Sequence, residues 1–106
     1  HSGIYQSSDS RLKDNVADIP TALDSVSKLQ GVTFNWKANE SLGFEVPAGG
    51  QGKQYGFLAQ SVETVLPDIV DGEGDDIKSL KYDALIPVMV EAIKELKAEI
   101  QALKGS

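Results

Sequence analysis

Apolar residues near the C-terminal end of the chain recur at alternating intervals of three and four residues. This spacing is that of the a and d positions of a heptad repeat, so it predicts one long C-terminal helix. Pro87 lies inside the pattern, and we therefore expect the continuous helix to begin at Asp83 or only near Pro87. The six a and d positions, called the seam below, are Ile86, Met89, Ile93, Leu96, Ile100 and Leu103.

The seam has two possible partners, its own domain or other copies of the chain. A helix that packs only within its own domain also shows apolar spacing, but six consecutive positions in strict register favour self-association. Isoleucine at a with leucine at d by itself indicates two strands. Val90 and Ala92 at flanking positions widen the apolar stripe, which indicates three. Glu99 and Lys104 stand where side chains of parallel helices can pair.

Shorter elements are predicted in the first third of the chain. Asp18 as an N-cap and Pro20 in the first turn predict a short helix that ends near Gly31. From residue 32 to residue 37, apolar residues alternate with polar ones, which predicts a half-buried strand. Residues 38–53 contain four glycines and few apolar anchors, so either a disordered loop or a protruding hairpin arm is possible there. The residues alone favour the plain loop.

The middle of the chain predicts further short elements. A second strand is predicted over residues 55–60. It is followed by a short helix that Ser61 caps and that runs through Leu66, where Pro67 ends it. A hairpin is then predicted from residues 69–70 to 77–82, around an acidic, glycine-containing turn.

The length, net charge and residue composition of the chain exclude several classes of function. A chain of 106 residues fits one domain. Its formal charge of −6 argues against a protein that binds nucleic acid, because the phosphates of nucleic acid require a basic surface. No apolar run reaches the length of a membrane span, and the first residues do not form a signal peptide. Without cysteine, a disulfide, a thiolate nucleophile and a cysteine metal site are all excluded. His1 is the only histidine, so a Ser-His-Asp triad is not expected.

Two motifs that suggest a ligand do not fit. Residues 49–53 are similar to a phosphate loop, but Pro47 stands where the first glycine belongs and Gln54 replaces serine or threonine. The acidic turn is similar to the start of a calcium loop, but Asp76 stands where glycine is needed and Tyr82 replaces the last glutamate. We therefore expect no cofactor and no metal.

Ser8 and Lys13 form the candidate catalytic pair. Serine with lysine as its base is a known nucleophile-base pair. A separation of five residues, however, is neither a helical contact spacing nor a same-face spacing in a strand. A turn made by Asp9 and Ser10, whose side chains bond locally to the backbone, is needed to bring the pair together. On these residues alone, we expect an ordinary capped turn with an exposed lysine.

Motifs along the chain follow one another in a characteristic order, namely Ser8-Asp9-x-Arg11-Leu12-Lys13, Leu29-x-Gly31-Val32-x-Phe34-x-Trp36-Lys37, Gly56-Phe57-Leu58-Ala59-Gln60, Leu66-Pro67-Asp68-Ile69-Val70, Tyr82 and Ala92-Ile93-Lys94-Glu95-Leu96. In this order and spacing the chain resembles the C-terminal intramolecular chaperone domain of phage tailspikes, tail fibres and endosialidases. That family is a self-cleaving serine peptidase family, also seen in the precursor of the myelin regulatory factor. The resemblance runs from about Ser8 to Leu103.

The resemblance implies self-cleavage at one peptide bond. Ser8 would be the nucleophile that attacks the carbonyl of Ser7, and Lys13 would be the general base, with Asp9 and Arg11 in support. A lysine serves as a base near neutral pH only where burial or neighbouring cations favour its neutral form. Arg11 is the candidate cation.

The resemblance also implies an organisation and partners. Residues 1–7 would be the end of an upstream β-helical passenger, and residues 8–106 the chaperone domain. The chain would form a homotrimer, act on no small-molecule substrate, work in the host cytoplasm during virion assembly and be released from the mature fibre. Arms of the family reach over the passenger, which makes Phe44 and Val46 candidate contacts.

The expected fold is therefore α+β. It is a small mixed domain with short strands and hairpins, one short N-terminal helix and a long C-terminal helix that forms a trimeric coiled coil. Two alternative functions stay open. One is a non-cleaving trimerisation tip of a tail fibre, and the other is the auto-processing segment of a membrane-tethered transcription factor precursor.

Overall fold

The computed structural model describes residues 5–105. The predicted passenger segment 1–7 therefore lies partly outside the described residues, as does His1. Short strands and hairpins precede one long helix, which confirms the predicted α+β class. The elements, in chain order, are α1 (Ala22–Ser27), β1 (Val32–Phe34), β2 (Gln54–Gly56), α2 (Ala59–Glu63), β3 (Val70–Asp71), β4 (Ser79–Leu80) and α3 (Leu85–Lys104).

Helix α3 is the longest element, and its 20 residues span about 30 Å. It begins at Leu85, directly after a 3-10 turn at Tyr82–Ala84. Pro87 thus lies in the first turn of α3, where a helix needs no amide donor. The predicted start between Asp83 and Pro87 is confirmed.

The core lies between α1 and the first half of α3. Ala22 is fully buried and packs against Val88 and Ala92 of α3. Ala22 is small, so the two helices can approach closely. Half-buried residues complete this cluster, namely Ile19, Leu23, Val26 and Leu66.

This packing corrects one reading of the heptad pattern. Ala92 is only 4% exposed because it lies against α1, so it does not widen the seam towards solvent. Val90, in contrast, is 47% exposed and does extend the apolar stripe. The buried face of α3 consists of Leu85, Val88 and Ala92, and the seam lies beside it. The broadened stripe therefore supports a trimer less than the sequence suggested.

Helix α1 is shorter than predicted. Thr21 has a left-handed backbone conformation (φ 51°), so the helix cannot extend back to Asp18 and begins at Ala22. The Thr21 hydroxyl donates to the carbonyl of Pro20 at 2.7 Å instead of capping the helix. The carboxylate of Glu95 on α3 accepts a hydrogen bond from the backbone amide of Leu23 at 3.0 Å. A side chain distant in sequence thus replaces the predicted cap.

Strands β1 and β2 form an antiparallel pair, in which Val32 lies opposite Gly56 and Phe34 opposite Gln54. Val32 and Phe34 are half-buried and Thr33 is exposed, as the alternation predicted. The prediction fails beyond that point, because the strand ends at Phe34 and Trp36 is 40% exposed. Strand β2 ends at Gly56, four residues earlier than predicted, because the chain turns into α2 at Ala59.

Helix α2 begins two residues before the predicted cap, Ser61, with the apolar Leu58 at its N-cap. It ends at Glu63, three residues before the predicted end at Leu66, and Pro67 opens a separate 3-10 turn. Strands β3 and β4 then pair antiparallel, with Val70 opposite Leu80, which confirms the second hairpin. Lys78 Nζ binds a carboxylate oxygen of Glu63 at 3.3 Å and the carbonyl of Gly72 at 3.0 Å, and so connects α2 to this hairpin.

Residues 38–53 form neither a long hairpin arm nor a featureless loop. A single antiparallel bridge joins Asn39 to Phe44 around a 3-10 turn at Glu40–Leu42. Farther along, Gly50 is buried against the indole of Trp36, where a Cβ would overlap the ring. The segment is therefore folded back onto the end of β1.

The described chain is elongated, with extents of 57 × 36 × 35 Å and a radius of gyration of 17.6 Å. A compact domain of this length has a radius of gyration of about 13 Å. The second half of α3, which has no buried residue, and the exposed residues 5–18 both contribute to this elongation. No helix within residues 5–105 is long and apolar enough to cross a membrane.

Candidate functional site

The N-terminal candidate site is built on one tight turn. Asp9 is the N-cap of a single 3-10 turn at Ser10–Leu12, and its carboxylate accepts a hydrogen bond from the Arg11 amide at 2.9 Å. The Leu12 amide donates to the Asp9 carbonyl at 3.0 Å, and the Lys13 amide donates to the Ser10 carbonyl at 3.3 Å. These bonds reverse the chain direction between Ser8 and Lys13.

This reversal brings the side chains of the candidate pair together. Lys13 Nζ donates a hydrogen bond to Ser8 Oγ at 2.6 Å. A nucleophile and its base must lie within hydrogen-bond reach, about 2.6–3.2 Å between heavy atoms. The pair meets this geometric requirement.

Asp9 and Arg11 form an ion pair beside Ser8 and Lys13, the candidate pair that is called the dyad below. Arg11 Nε and Nη2 bind the two carboxylate oxygens of Asp9 at 3.0 and 2.7 Å, a bidentate arrangement. The Arg11 side chain, together with the Arg11 amide, holds the pKa of the Asp9 carboxyl below its ordinary value. The Asp9 carboxylate in turn raises the pKa of the Arg11 guanidinium.

The ion pair changes the role proposed for Arg11. As a lone cation next to Lys13, Arg11 would favour the neutral form of the lysine. In the structure its charge lies against the Asp9 carboxylate, so the two charges largely offset each other at the dyad. The support that Arg11 gives is therefore to the turn, through Asp9.

The dyad is exposed in the single chain. Ser7, Ser8 and Lys13 all lie on the surface. Two apolar side chains near them, Leu12 and Val16, are also exposed, at 73% and 81%. Burial, one of the two conditions under which a lysine serves as a base, is therefore absent from this part of the described chain.

The segment that carries Ser7 and Ser8 is anchored to the start of α3. Gln6 Nε2 donates a hydrogen bond to Oδ2 of Asp83 at 3.2 Å. Asp83 belongs to the 3-10 turn that leads into α3. The sequence singled out neither residue for this role, because a contact between positions 77 residues apart leaves no local pattern.

The seam is exposed in the single chain. Its six residues range from 44% exposed at Met89 to 76% exposed at Leu103. Contiguous apolar surface of this kind marks interaction sites in soluble proteins. Helix α3 therefore has one apolar face for its own domain and a second that faces outward.

A groove lies between the two hairpins and was not predicted. It has a volume of about 710 Å³, and apolar side chains dominate its lining, among them Phe34, Trp36, Phe44, Phe57 and Tyr82. Phe44, one of the two candidate passenger contacts, is half-buried against Trp36, with ring centroids 5.3 Å apart. Val46, the other candidate, is also half-buried. The sequence signals for this surface were the alternation of Phe34 and Trp36 and the motif residues Phe57 and Tyr82.

Tyr82 and Gly56, both present in the sequence motifs, have a shared structural role. Tyr82 Oη accepts a hydrogen bond from the Phe57 amide at 3.0 Å. A Cβ at position 56 would overlap this hydroxyl and approach the Phe34 ring. Glycine is thus needed so that Tyr82 can reach the end of β2.

The carboxylates of the described chain are dispersed rather than gathered around one point. Among residues 5–105, no group of three histidine, cysteine, aspartate or glutamate side chains could hold a metal ion. The acidic turn between β3 and β4 is exposed at Glu73, Asp75 and Asp76.

Comparisons with known proteins point to one family. A family model described as the chaperone of endosialidase matches residues 8–71, which include the dyad turn but not α3. The chain is 38% identical over 106 residues to the long tail fibre protein Gp37 of Enterobacteria phage K3, and equally similar to that of phage T2. Each alignment covers 96% of this chain and 8% of the relative. The Gp37 of Enterobacteria phage Ox2 is 30% identical, over 97% of this chain and 41% of that protein. The chain thus spans less than half the length of these relatives.

Proposed function

The chain belongs to the endosialidase chaperone family, and from this premise we propose that it is a trimerising intramolecular chaperone that releases itself by cutting the Ser7–Ser8 bond. The family and the tail fibre relatives support a chaperone role in the assembly of a phage tail fibre. The finer proposal, self-cleavage, rests on one observation above all. It is the 2.6 Å hydrogen bond from Lys13 Nζ to Ser8 Oγ, within the segment that the family model matches.

The proposed chemistry is acyl transfer followed by hydrolysis. Neutral Lys13 takes the hydroxyl proton as Ser8 Oγ attacks the carbonyl carbon of Ser7. The C–N bond then breaks, and Lys13 returns the proton to the leaving amine of Ser8. Water hydrolyses the resulting ester, which leaves a passenger ending at Ser7 and a domain beginning at Ser8. Each chain cuts once.

The exposure of the dyad suggests when cleavage takes place. Lys13 needs a drier surrounding than it has in the single chain. The exposed apolar residues Leu12 and Val16 near the dyad are suited to be covered by another chain or by the passenger. We infer that assembly completes the site, so that cleavage reports successful assembly.

The proposed trimer is joined through the seam. Three parallel α3 helices would bury the six seam residues, and Glu99 of one helix would lie near Lys104 of the next. The trimer that the family resemblance implies, rather than the width of the stripe, favours three chains over two.

A physical reason connects the chaperone to the protease. Fibrous β-structures have high contact order and a register that slips easily during assembly. A trimerising unit holds three chains in register and raises their effective concentration. Removal of that unit after folding in the host, during virion assembly, would leave the fibre kinetically stable.

A second candidate function is a non-cleaving trimerisation tip. The observation that favours it is the exposure of Ser8 and Lys13, which places the pair in open solvent rather than in the desolvated pocket in which lysine bases act. The two candidates share the trimer and differ only in the fate of the Ser7–Ser8 bond.

The deciding experiment attaches an upstream β-helical passenger and determines the masses of the products. Cleavage between Ser7 and Ser8 is expected, with a new N-terminal serine. Ser8→Ala removes the nucleophile and should leave the precursor whole, and Lys13→Ala should do nearly the same. Ser7→Ala and Ser10→Ala are matched controls that should still cut, because neither supplies the attacking oxygen.

Two results would contradict parts of this proposal. Cleavage that persists in Ser8→Ala would place the nucleophile elsewhere. An intact parent fusion that nevertheless forms trimers would favour the non-cleaving tip.

A further inference from the structure

Gln6 is the second residue before the proposed scissile bond, and it has a defined partner. Its side-chain amide donates to the Asp83 carboxylate at 3.2 Å, across 77 positions of sequence. Residues 7–18, which lie between Gln6 and the half-buried Ile19, are all exposed. A long-range contact in such an exposed segment therefore restricts where the scissile bond lies.

Asp83 is held in place by the residues on both sides of it. Tyr82, immediately before it, binds the Phe57 amide through its hydroxyl at 3.0 Å. Leu85, two residues after it, is buried and only 3% exposed. The carboxylate thus projects from a short turn whose two ends are fixed to the fold, so it is a stable acceptor for a side chain that comes to it.

The chain that follows the turn between Ser8 and Lys13 also lies next to the start of α3. Ala17, Asp18 and Ile19 line a small depression together with Ile86 and Pro87. The segment 7–16, which contains the dyad turn, is therefore held at both ends near the first turns of α3. The proposed scissile bond lies one residue beyond the first of these two attachments.

We propose that Asp83 positions the substrate segment and determines which residue is accepted at position 6. Its carboxylate selects a side chain that donates hydrogen bonds, such as glutamine, and rejects glutamate, which would place two carboxylates together. This inference rests on the proposed self-cleavage. To the self-cleavage mechanism it adds a recognition contact on the passenger side of the scissile bond.

The test compares cleavage rates of passenger fusions that differ only at these two positions. Gln6→Glu should slow cleavage at least about fivefold, the effect of losing one hydrogen bond of ordinary strength. The double variant Gln6→Glu with Asp83→Asn should recover most of the rate, because the asparagine amide can donate to the new carboxylate. Gln6→Lys should cut at the parent rate or faster.

Controls separate recognition from stability. Asp75→Asn removes one carboxylate from the exposed acidic turn and should neither slow the parent nor rescue Gln6→Glu. Melting temperature and trimer mass should be unchanged in all variants, because Gln6 and Asp83 are both exposed.

The possible outcomes are distinct. A parent that cuts at Ser7–Ser8 while Gln6→Glu cuts at the same rate overturns the role of Asp83 and leaves the dyad mechanism standing. A slow Gln6→Glu that Asp83→Asn does not rescue also overturns it. A parent fusion that is not cut at all overturns the self-cleavage and this inference with it.

Discussion

The carboxylate of Glu95 accepts a hydrogen bond from the backbone amide of Leu23 at 3.0 Å, and so α3 caps the first turn of α1. Glu95 lies one turn after Ala92 on the buried face of α3. Leu23 directly follows Ala22, the residue of α1 that packs against Ala92 in the core. The apolar contact and the capping bond therefore act on the same pair of helices. They fix the face of α3 that packs internally, and by exclusion the face that remains outward.

Glu95→Ala is expected to destabilise the fold by about 1–2 kcal/mol, because an amide in the first turn of α1 loses its acceptor. Glu95→Gln keeps an acceptor oxygen and should lose less than half as much. Urea unfolding at one fixed protein concentration measures both, since assembly makes stability concentration-dependent. Equal losses in the two variants would show that the charge of Glu95, and not its hydrogen bond, is what matters.

Gly56→Ala should destabilise the fold by about 1–3 kcal/mol through overpacking. The added methyl group would overlap Tyr82 Oη and displace the ring from the Phe57 amide. Combined with Tyr82→Phe, which removes the hydroxyl, the loss should be smaller than the sum of the two single losses.

Gly31→Ala is the matched control for this pair. Among the described residues other than its two chain neighbours, no atom lies within 4 Å of a Cβ built there, so its effect should stay within about 0.5 kcal/mol. Strict additivity of Gly56→Ala and Tyr82→Phe would contradict the proposed collision.

The pKa of Asp9 should rise towards its ordinary value in Arg11→Ala, because the Arg11 side chain is the main cause of its depression. Arg11→Lys keeps the charge but not the bidentate geometry, and should give an intermediate pKa. Since the folded-state pKa lies below the unfolded one, the stabilisation of the turn is present above about pH 4 and is lost as the pH falls through the folded-state pKa. Titration of the Asp9 carboxyl by NMR measures this directly, and an unchanged pKa in Arg11→Ala would refute the assignment.

Elements governed by local pattern were predictable from the sequence. The heptad spacing located α3, and the alternation around Thr33 located β1. The candidate turn was also foreseeable, because Asp9 and Ser10 are residues that bond to nearby backbone. In each case the physical signal lies within a few residues of the element it specifies.

Contacts between distant segments were not predictable in this way. The cap that Glu95 provides and the anchor that Asp83 provides join residues 72 and 77 positions apart. The sequence also assigned Ala92 to the outer stripe, since a heptad pattern does not tell which apolar residues a neighbouring helix covers. The shortened α1 follows from the left-handed Thr21, a conformation that propensity does not favour for threonine.

The chain is expected to assemble through the outward face of α3. Ile93, an a position that is 66% exposed in the single chain, would lie in the middle of the trimer seam. Ile93→Asp would place a charge in that desolvated seam and should dissociate the trimer. Light scattering at a concentration on the order of tens of micromolar measures the mass, with three chain masses expected for the parent and one for the variant.

Ala98→Asp is the matched control, because Ala98 is an exposed residue of the same helix that lies outside the seam. It adds the same charge and should remain trimeric. If assembly completes the dyad, Ile93→Asp should also abolish cleavage of a passenger fusion while Ala98→Asp cuts normally. A parent chain that is monomeric at this concentration would refute the seam. Cleavage retained in a monomeric Ile93→Asp would keep the Ser8–Lys13 dyad and refute its dependence on assembly.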